Sequence, residues 1–88
     1  MLLALYDERP VGLVAWSGHM LDALYILPQH AGRGIGTHLL AVVPARVDAL
    51  WVLVDNGRGR KFYEQHGWLD TGVVRAAYEP ANEVLYRR

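Results

Sequence analysis

Cysteine is absent from the 88 residues, which removes disulfide frames, thiolate metal sites and a cysteine nucleophile together. Lysine occurs once, as Lys61 after Arg60. The Gly-Lys-Ser/Thr core of a nucleotide P-loop therefore cannot be assembled. Neither sign of charge is in excess, since nine basic and nine acidic side chains balance and the sequence pI is near 6.9. With no global field for nucleic acid or an anionic membrane, neither is expected as a partner, and any anion site must be local. Apolar runs are short and broken, and no charged, then apolar, then small-residue leader opens the chain. A soluble, cytoplasmic protein without a membrane span is the expectation. His30, His38 and His66 fall in no ligand spacing, so no metal is expected. Trp16-Ser17-Gly18 lacks the Gly-x-Ser-x-Gly elbow of an acyl-enzyme.

What the chain does have is 52% apolar residues, enough for one small domain over residues 1–88 with a modest core. Its most informative stretch is Pro28-Gln29-His30-Ala31-Gly32-Arg33-Gly34-Ile35-Gly36-Thr37. An apolar run, Leu24 to Leu27, leads in, and a helix-like apolar run, Ile35 to Val43, leads out. Strand, glycine loop and helix start make an anion cradle: glycines let the backbone bend close to a ligand, and the orphan amides of the first helical turn point at phosphate. The alternation of Gly32, Gly34 and Gly36, with no parallel βαβ unit before it, disfavours the dinucleotide fingerprint.

Around this loop the pattern predicts a hairpin of Leu2–Tyr6 and Val11–Trp16, with Asp7-Glu8-Arg9-Pro10 as the turn, then a third strand over Met20–Leu27. Ile35, Leu39, Val42 and Val43 share a helical stripe, and Pro44 breaks it or starts a new turn through Asp48. Leu50–Val54 reads as a buried strand reached by a parallel, right-handed crossover. A second helix starts at the N-cap Asn56, carries Gly59, Phe62, Tyr63 and His66 on one stripe, and ends at Gly67. Trp68–Arg75 and Glu83–Tyr86 close the chain as strands joined through Ala76–Asn82. Trp16, Trp51, Tyr6 and Tyr25 are expected as core or interface aromatics.

Two motifs then resemble one family, the GNAT N-acetyltransferases. The first is the family's Gln/Arg-x-x-Gly-x-Gly/Ala after a strand, which falls here on Ala31-Gly32-Arg33-Gly34-Ile35-Gly36, with both glycines present and Ala31 in place of the leading Gln/Arg. The second is Asn56-Gly57-Arg58-Gly59-Arg60-Lys61-Phe62-Tyr63-Glu64-Gln65-His66-Gly67-Trp68, similar to Asn-x-x-Ala-x-x-Phe-Tyr-Glu-x-x-Gly-Phe with Gly59 for Ala and Trp68 for Phe. The resemblance implies an α/β (α+β) fold: a mixed, mainly antiparallel sheet with one parallel strand-helix-strand crossover and two main helices. It also implies a short member, lacking the family's first strand and the two helices after it.

The activity implied is transfer of acetyl from acetyl-CoA, as cosubstrate, to the primary amine of a small molecule or peptide, by direct attack without an acyl-enzyme. Such a reaction needs alignment, an uncharged amine and a proton for the departing thiolate. By the resemblance, Gly32, Arg33, Gly34, Ile35, Gly36 and Thr37 hold the pyrophosphate, while Leu27 and Asn56 meet the pantetheine arm. Tyr63 protonates the sulfur. The family's base position falls on Met20, so the candidate bases are Asp22, two residues later on the same strand face and acting through water, or His19 at the strand mouth, the alternative being two surface polar residues. Arg58, Arg60 and Lys61 form a basic cluster that could meet the 3′-phosphate or face solvent. Uncovered sheet edges predict a homodimer. Two other classes remain open: a non-catalytic CoA-binding or partner-dependent regulatory or assembly domain, and a phosphate-binding regulatory fragment.

Overall fold

The structure is a computed structural model that describes all 88 residues. They form two compact units, Met1–Val47 and Asp48–Arg88.

In the first unit, β1 (Leu2–Tyr6), β2 (Arg9–Ser17) and β3 (Met20–Ile26) make an antiparallel meander followed by a 3-10 turn at Pro28–His30 and by α1 (Ile35–Ala41). The hairpin turn is tighter than the composition of Asp7–Pro10 suggests. Asp7 and Glu8 alone turn the chain, with φ of 50° and 65°, the left-handed pair of a two-residue type I′ loop. Arg9 and Pro10 belong to β2, and Pro10 sits opposite Leu5 where the register shifts, the kind of site at which a missing N–H is tolerated. Val11, Val14, Leu21, Leu39 and Leu40 are buried.

Gly12 marks where α1 comes close to the strands. A Cβ there would stand 2.8 Å from Ile26 Cδ1 and 3.4 Å from Leu39 Cδ1. The helix ends two residues before the expected Val43. The amides of Val42 and Val43 bond the carbonyls of Leu39 and Leu40, tightening the last turn into 3-10 form before Pro44.

The second unit contains β4 (Ala49–Leu53), α2 (Gly57–Gln65), β5 (Leu69–Tyr78) and β6 (Ala81–Arg87). β6 is central here, paired antiparallel with β4 on one side and β5 on the other. Ala49, Leu50, Val52, Trp68, Val84 and Tyr86 are its buried apolar residues. β5 runs to Tyr78 rather than stopping near Arg75: Ala76 and Tyr78 pair with Asn82 and Ala81 across a register shift, and a second shift lies between Asp70 and Val74. Glu79-Pro80, joined by a cis peptide bond, completes the turn. Tyr6 and Tyr25, expected in the core or at an interface, are exposed; the buried aromatics are Trp68 and Tyr86. No helix is long and apolar enough to cross a membrane.

Candidate functional site

The glycine loop has the expected backbone. Gly32 and Gly34 adopt φ of 80° and 82°, a region that L side chains enter at a cost of about 1–2 kcal/mol. Gly34 is the N-cap of α1 and supplies no capping side chain. The first helical bond runs from the His38 amide to the Gly34 carbonyl at 3.1 Å. The amides of Gly34, Ile35 and Gly36 therefore lack a carbonyl acceptor in the chain, as at any helix start. A Cβ on Gly32 or Gly34 would meet nothing within 4 Å, so the loop is open beside its glycines. Ala31 precedes it in extended conformation, its amide bonded to the Pro28 carbonyl.

Leu27 is already engaged on both backbone groups: its N–H donates to Val11 at 2.8 Å and its carbonyl accepts from His30 at 2.9 Å. A ligand amide pairing there must share that carbonyl through its second lone pair. Asp22 lies exposed on β3 and accepts a 2.6 Å hydrogen bond from the Ser17 hydroxyl across the β2–β3 turn. His19 is exposed in the same turn. A concavity of about 550 Å³, lined by Tyr6, Asp7, Arg9, Leu27, Gln29 and His30 among others, includes none of Gly32 to Thr37.

In the second unit Asn56 caps α2, its Oδ1 accepting from the Gly59 amide at 3.0 Å. Glycine at 59 is what makes room, because a Cβ would stand 2.5 Å from Asn56 Nδ2 and 2.9 Å from its Cγ. Tyr63 packs edge-on against Trp68, with centroids 6.1 Å apart, and against Phe62. Burial pushes its phenol up to about 12, because the anion would be poorly solvated there.

Arg60, expected to meet a phosphate or to face solvent, is instead tied into the second unit. Its Nε donates to the Tyr86 hydroxyl at 3.0 Å, Nη1 to the Val54 carbonyl at 3.0 Å and Nη2 to Asp70 at 2.8 Å. Tyr86 in turn donates to Glu64. The hydrogen bond that Arg60 donates to Tyr86 is the largest cause holding the guanidinium pKa above its ordinary value, with Tyr86 and Asp70 adding to it electrostatically against a partial opposing effect of burial. Arg60 is thus a structural strut, and only Arg58 and Lys61 remain of the basic cluster. The i,i+4 spacing of Arg60 and Glu64 was the available signal; Tyr86 and Asp70 are too distant in sequence to read.

The model of the GNAT acetyltransferase domain matches residues 1–68, more than half of the chain. The chain belongs to the GNAT acetyltransferase family. Among solved structures it is similar to Naa50 of Arabidopsis thaliana in complex with the bisubstrate analogue CoA-Ac-MVNAL, with a TM-score of 0.79 and 24% identity over 98% of this chain and 70% of that one. It is similar also to a GNAT acetyltransferase of Bacillus cereus, with a TM-score of 0.77 and 16% identity over 98% of this chain and 67% of the other. Apo YjaB of Escherichia coli follows at a TM-score of 0.76 and 26% identity, over 97% of this chain and 61% of YjaB. No curated protein sequence matches. The GNAT fold class expected above is therefore the one found, in a chain spanning 61% to 70% of these neighbours' length.

Proposed function

We propose that the chain is an N-acetyltransferase that moves acetyl from acetyl-CoA to a primary amine of a small molecule or peptide by direct attack. The observation that carries this reading is the loop of a GNAT-family chain, with Gly32 and Gly34 held left-handed and the amides of Gly34 to Gly36 left without carbonyl partners. Those donors, with the dipole of the helix start behind them, suit a pyrophosphate. Arg33 supplies the positive charge that Ala31 does not. Asn56 and the backbone at Leu27 receive the pantetheine arm. The neighbour Naa50 is bound to CoA-Ac-MVNAL, which favours peptide amines among the acceptors.

Tyr63 acts as a proton donor to the sulfur. With the phenol at about 12 and an alkyl thiol near 8.5, complete transfer runs uphill by roughly 5 kcal/mol. Its contribution is therefore a standing hydrogen bond to the sulfur as charge develops, available at every physiological pH. Asp22, through water, removes the amine's proton, with its Ser17 contact fixing the carboxylate. The base has to work because an amine of pKa ~10.4 is mostly charged at neutral pH.

A non-catalytic CoA-binding domain is the second reading, favoured by Ala31 at the family's Gln/Arg position. Calorimetry with CoA, followed by thiol release from acetyl-CoA over an amine and peptide panel, separates the two. Binding with turnover that falls in Tyr63→Phe is the expected result. Binding without turnover selects the second reading, and no binding at millimolar CoA removes both.

A further inference from the structure

We propose that Tyr86 is a positioning residue: its hydroxyl, held by Arg60 and Glu64 together, fixes the rotation of α2 that aims Tyr63 at the coenzyme sulfur. The inference rests on the acetyl-transfer reading above. None of the nine residues of α2 is buried outright, so apolar packing gives little to stop the helix turning about its own axis. Tyr63 itself rests against Trp68, with ring centroids 6.1 Å apart, and the Trp68 amide donates to its carbonyl at 3.0 Å. A cylinder held along one line still rolls. A second attachment, displaced around the axis, is what locks it.

Arg60 and Glu64 provide that attachment. They stand one turn apart, about 60° and 100° around the axis from Tyr63 and on the same side of it. Both bond one oxygen: Arg60 Nε donates to the Tyr86 hydroxyl at 3.0 Å, and the hydroxyl donates to Glu64. A phenol accepts and donates at once, which a phenyl ring cannot do. Tyr86 is fully buried, on the strand that β4 and β5 flank, so the anchor is set in the sheet. Arg60 extends the clamp to the Val54 carbonyl at 3.0 Å and to Asp70 on β5 at 2.8 Å.

The phenol of Tyr63 is a long lever on this rotation. Its oxygen stands roughly 8 Å from the helix axis, so a turn of about 10° moves it by about 1 Å. A misplacement of that size at a reacting group costs up to about 10²-fold in rate. Coenzyme binding is spared, because the amides of Gly34 to Gly36 belong to α1 and Asn56 keeps its own bond to the Gly59 amide. The clamp therefore acts on kcat and leaves CoA affinity alone.

Glu64 is the position to test, since it is exposed and its loss leaves the fold intact by circular dichroism. Glu64→Ala is expected to lower kcat for thiol release from acetyl-CoA by about tenfold, with the calorimetric Kd for CoA unchanged. Glu64→Gln retains an acceptor oxygen for Tyr86 and is expected to restore the rate, whereas Tyr86→Phe repeats the loss. Beside Tyr63→Phe, Glu64→Ala is expected to have no further effect, because nothing is left to aim. An unchanged kcat in Glu64→Ala, or the same fall in the Tyr63→Phe background, overturns the proposal. A wild type without turnover removes the acetyl-transfer reading alone, and the ring-carbon resonance of Tyr63 then decides the clamp. The phenol is expected to titrate at about 12 in the wild type and closer to 10 in Glu64→Ala, where the released ring meets water. An unchanged titration overturns the clamp.

Discussion

Arg60 donates its Nε–H to the hydroxyl of Tyr86 at 3.0 Å, linking the middle of α2 to the central strand of the second unit. Tyr86 is fully buried, and its hydroxyl passes a hydrogen bond on to Glu64. Removing that hydroxyl takes one hydrogen bond from each of two charged groups, Arg60 and Glu64. Tyr86→Phe is expected to lower stability by about 2 kcal/mol, in the range for hydrogen bonds to charged partners, measured by urea unfolding. Arg60→Met is expected to lower the thermal midpoint while leaving CoA affinity of the folded protein unchanged. A fall in affinity without a fall in midpoint would return Arg60 to the phosphate-binding role.

That residue also shows where the sequence stops being legible. Periodicity and punctuation located every strand and both helices, because apolar runs and the Asn56 cap are local signals. The glycine loop was legible for the same reason, its φ demands being written in Gly32 and Gly34 themselves. What escaped depends on partners distant in the chain. The Arg60 strut needs Asp70 and Tyr86. The length of β5 depends on register shifts against β6 that let Gly72 sit inside a strand. Pro10 read as a turn residue, and only its place opposite Leu5 makes it a strand residue.

The alkaline limb of stability is expected to report Tyr63. Burial raises its phenol from 10 to about 12, so between those values the folded chain keeps a proton that the unfolded chain releases. By linkage, this contribution is fully present below pH 10 and is lost as pH rises toward 12. Two units correspond to about 2–3 kcal/mol. Urea unfolding of the wild type below pH 10 and near pH 12 should differ by about that much more than the same pair in Tyr63→Phe. An identical slope in both proteins would show that the phenol is solvated.

Asp7 and Glu8 hold left-handed conformations without being glycine, and Glu8 is the costlier of the two because asparagine and aspartate tolerate that region better. Asp7→Asn with Glu8→Gly installs the preferred type I′ pair. The expected gain is about 1 kcal/mol, after the added freedom of glycine in the unfolded chain is subtracted. Thermal denaturation checks it, and an unchanged or lower midpoint refutes the turn assignment.

Gly59 and Asn56 are coupled by contact as well as by the capping bond. Alanine at 59 would favour the helix by up to about 1 kcal/mol, but its Cβ collides with the Asn56 amide and forfeits a cap worth about 1 kcal/mol. Gly59→Ala alone should therefore change stability little. The coupling is expected to appear in a double-mutant cycle: Asn56→Ala costs about 1 kcal/mol in the wild type and almost nothing beside Gly59→Ala. Because the same displacement moves Asn56 away from the proposed pantetheine contact, CoA affinity should fall in Gly59→Ala at nearly constant stability. Equal Asn56→Ala costs in both backgrounds would mean that the side chain finds another rotamer and keeps its bond.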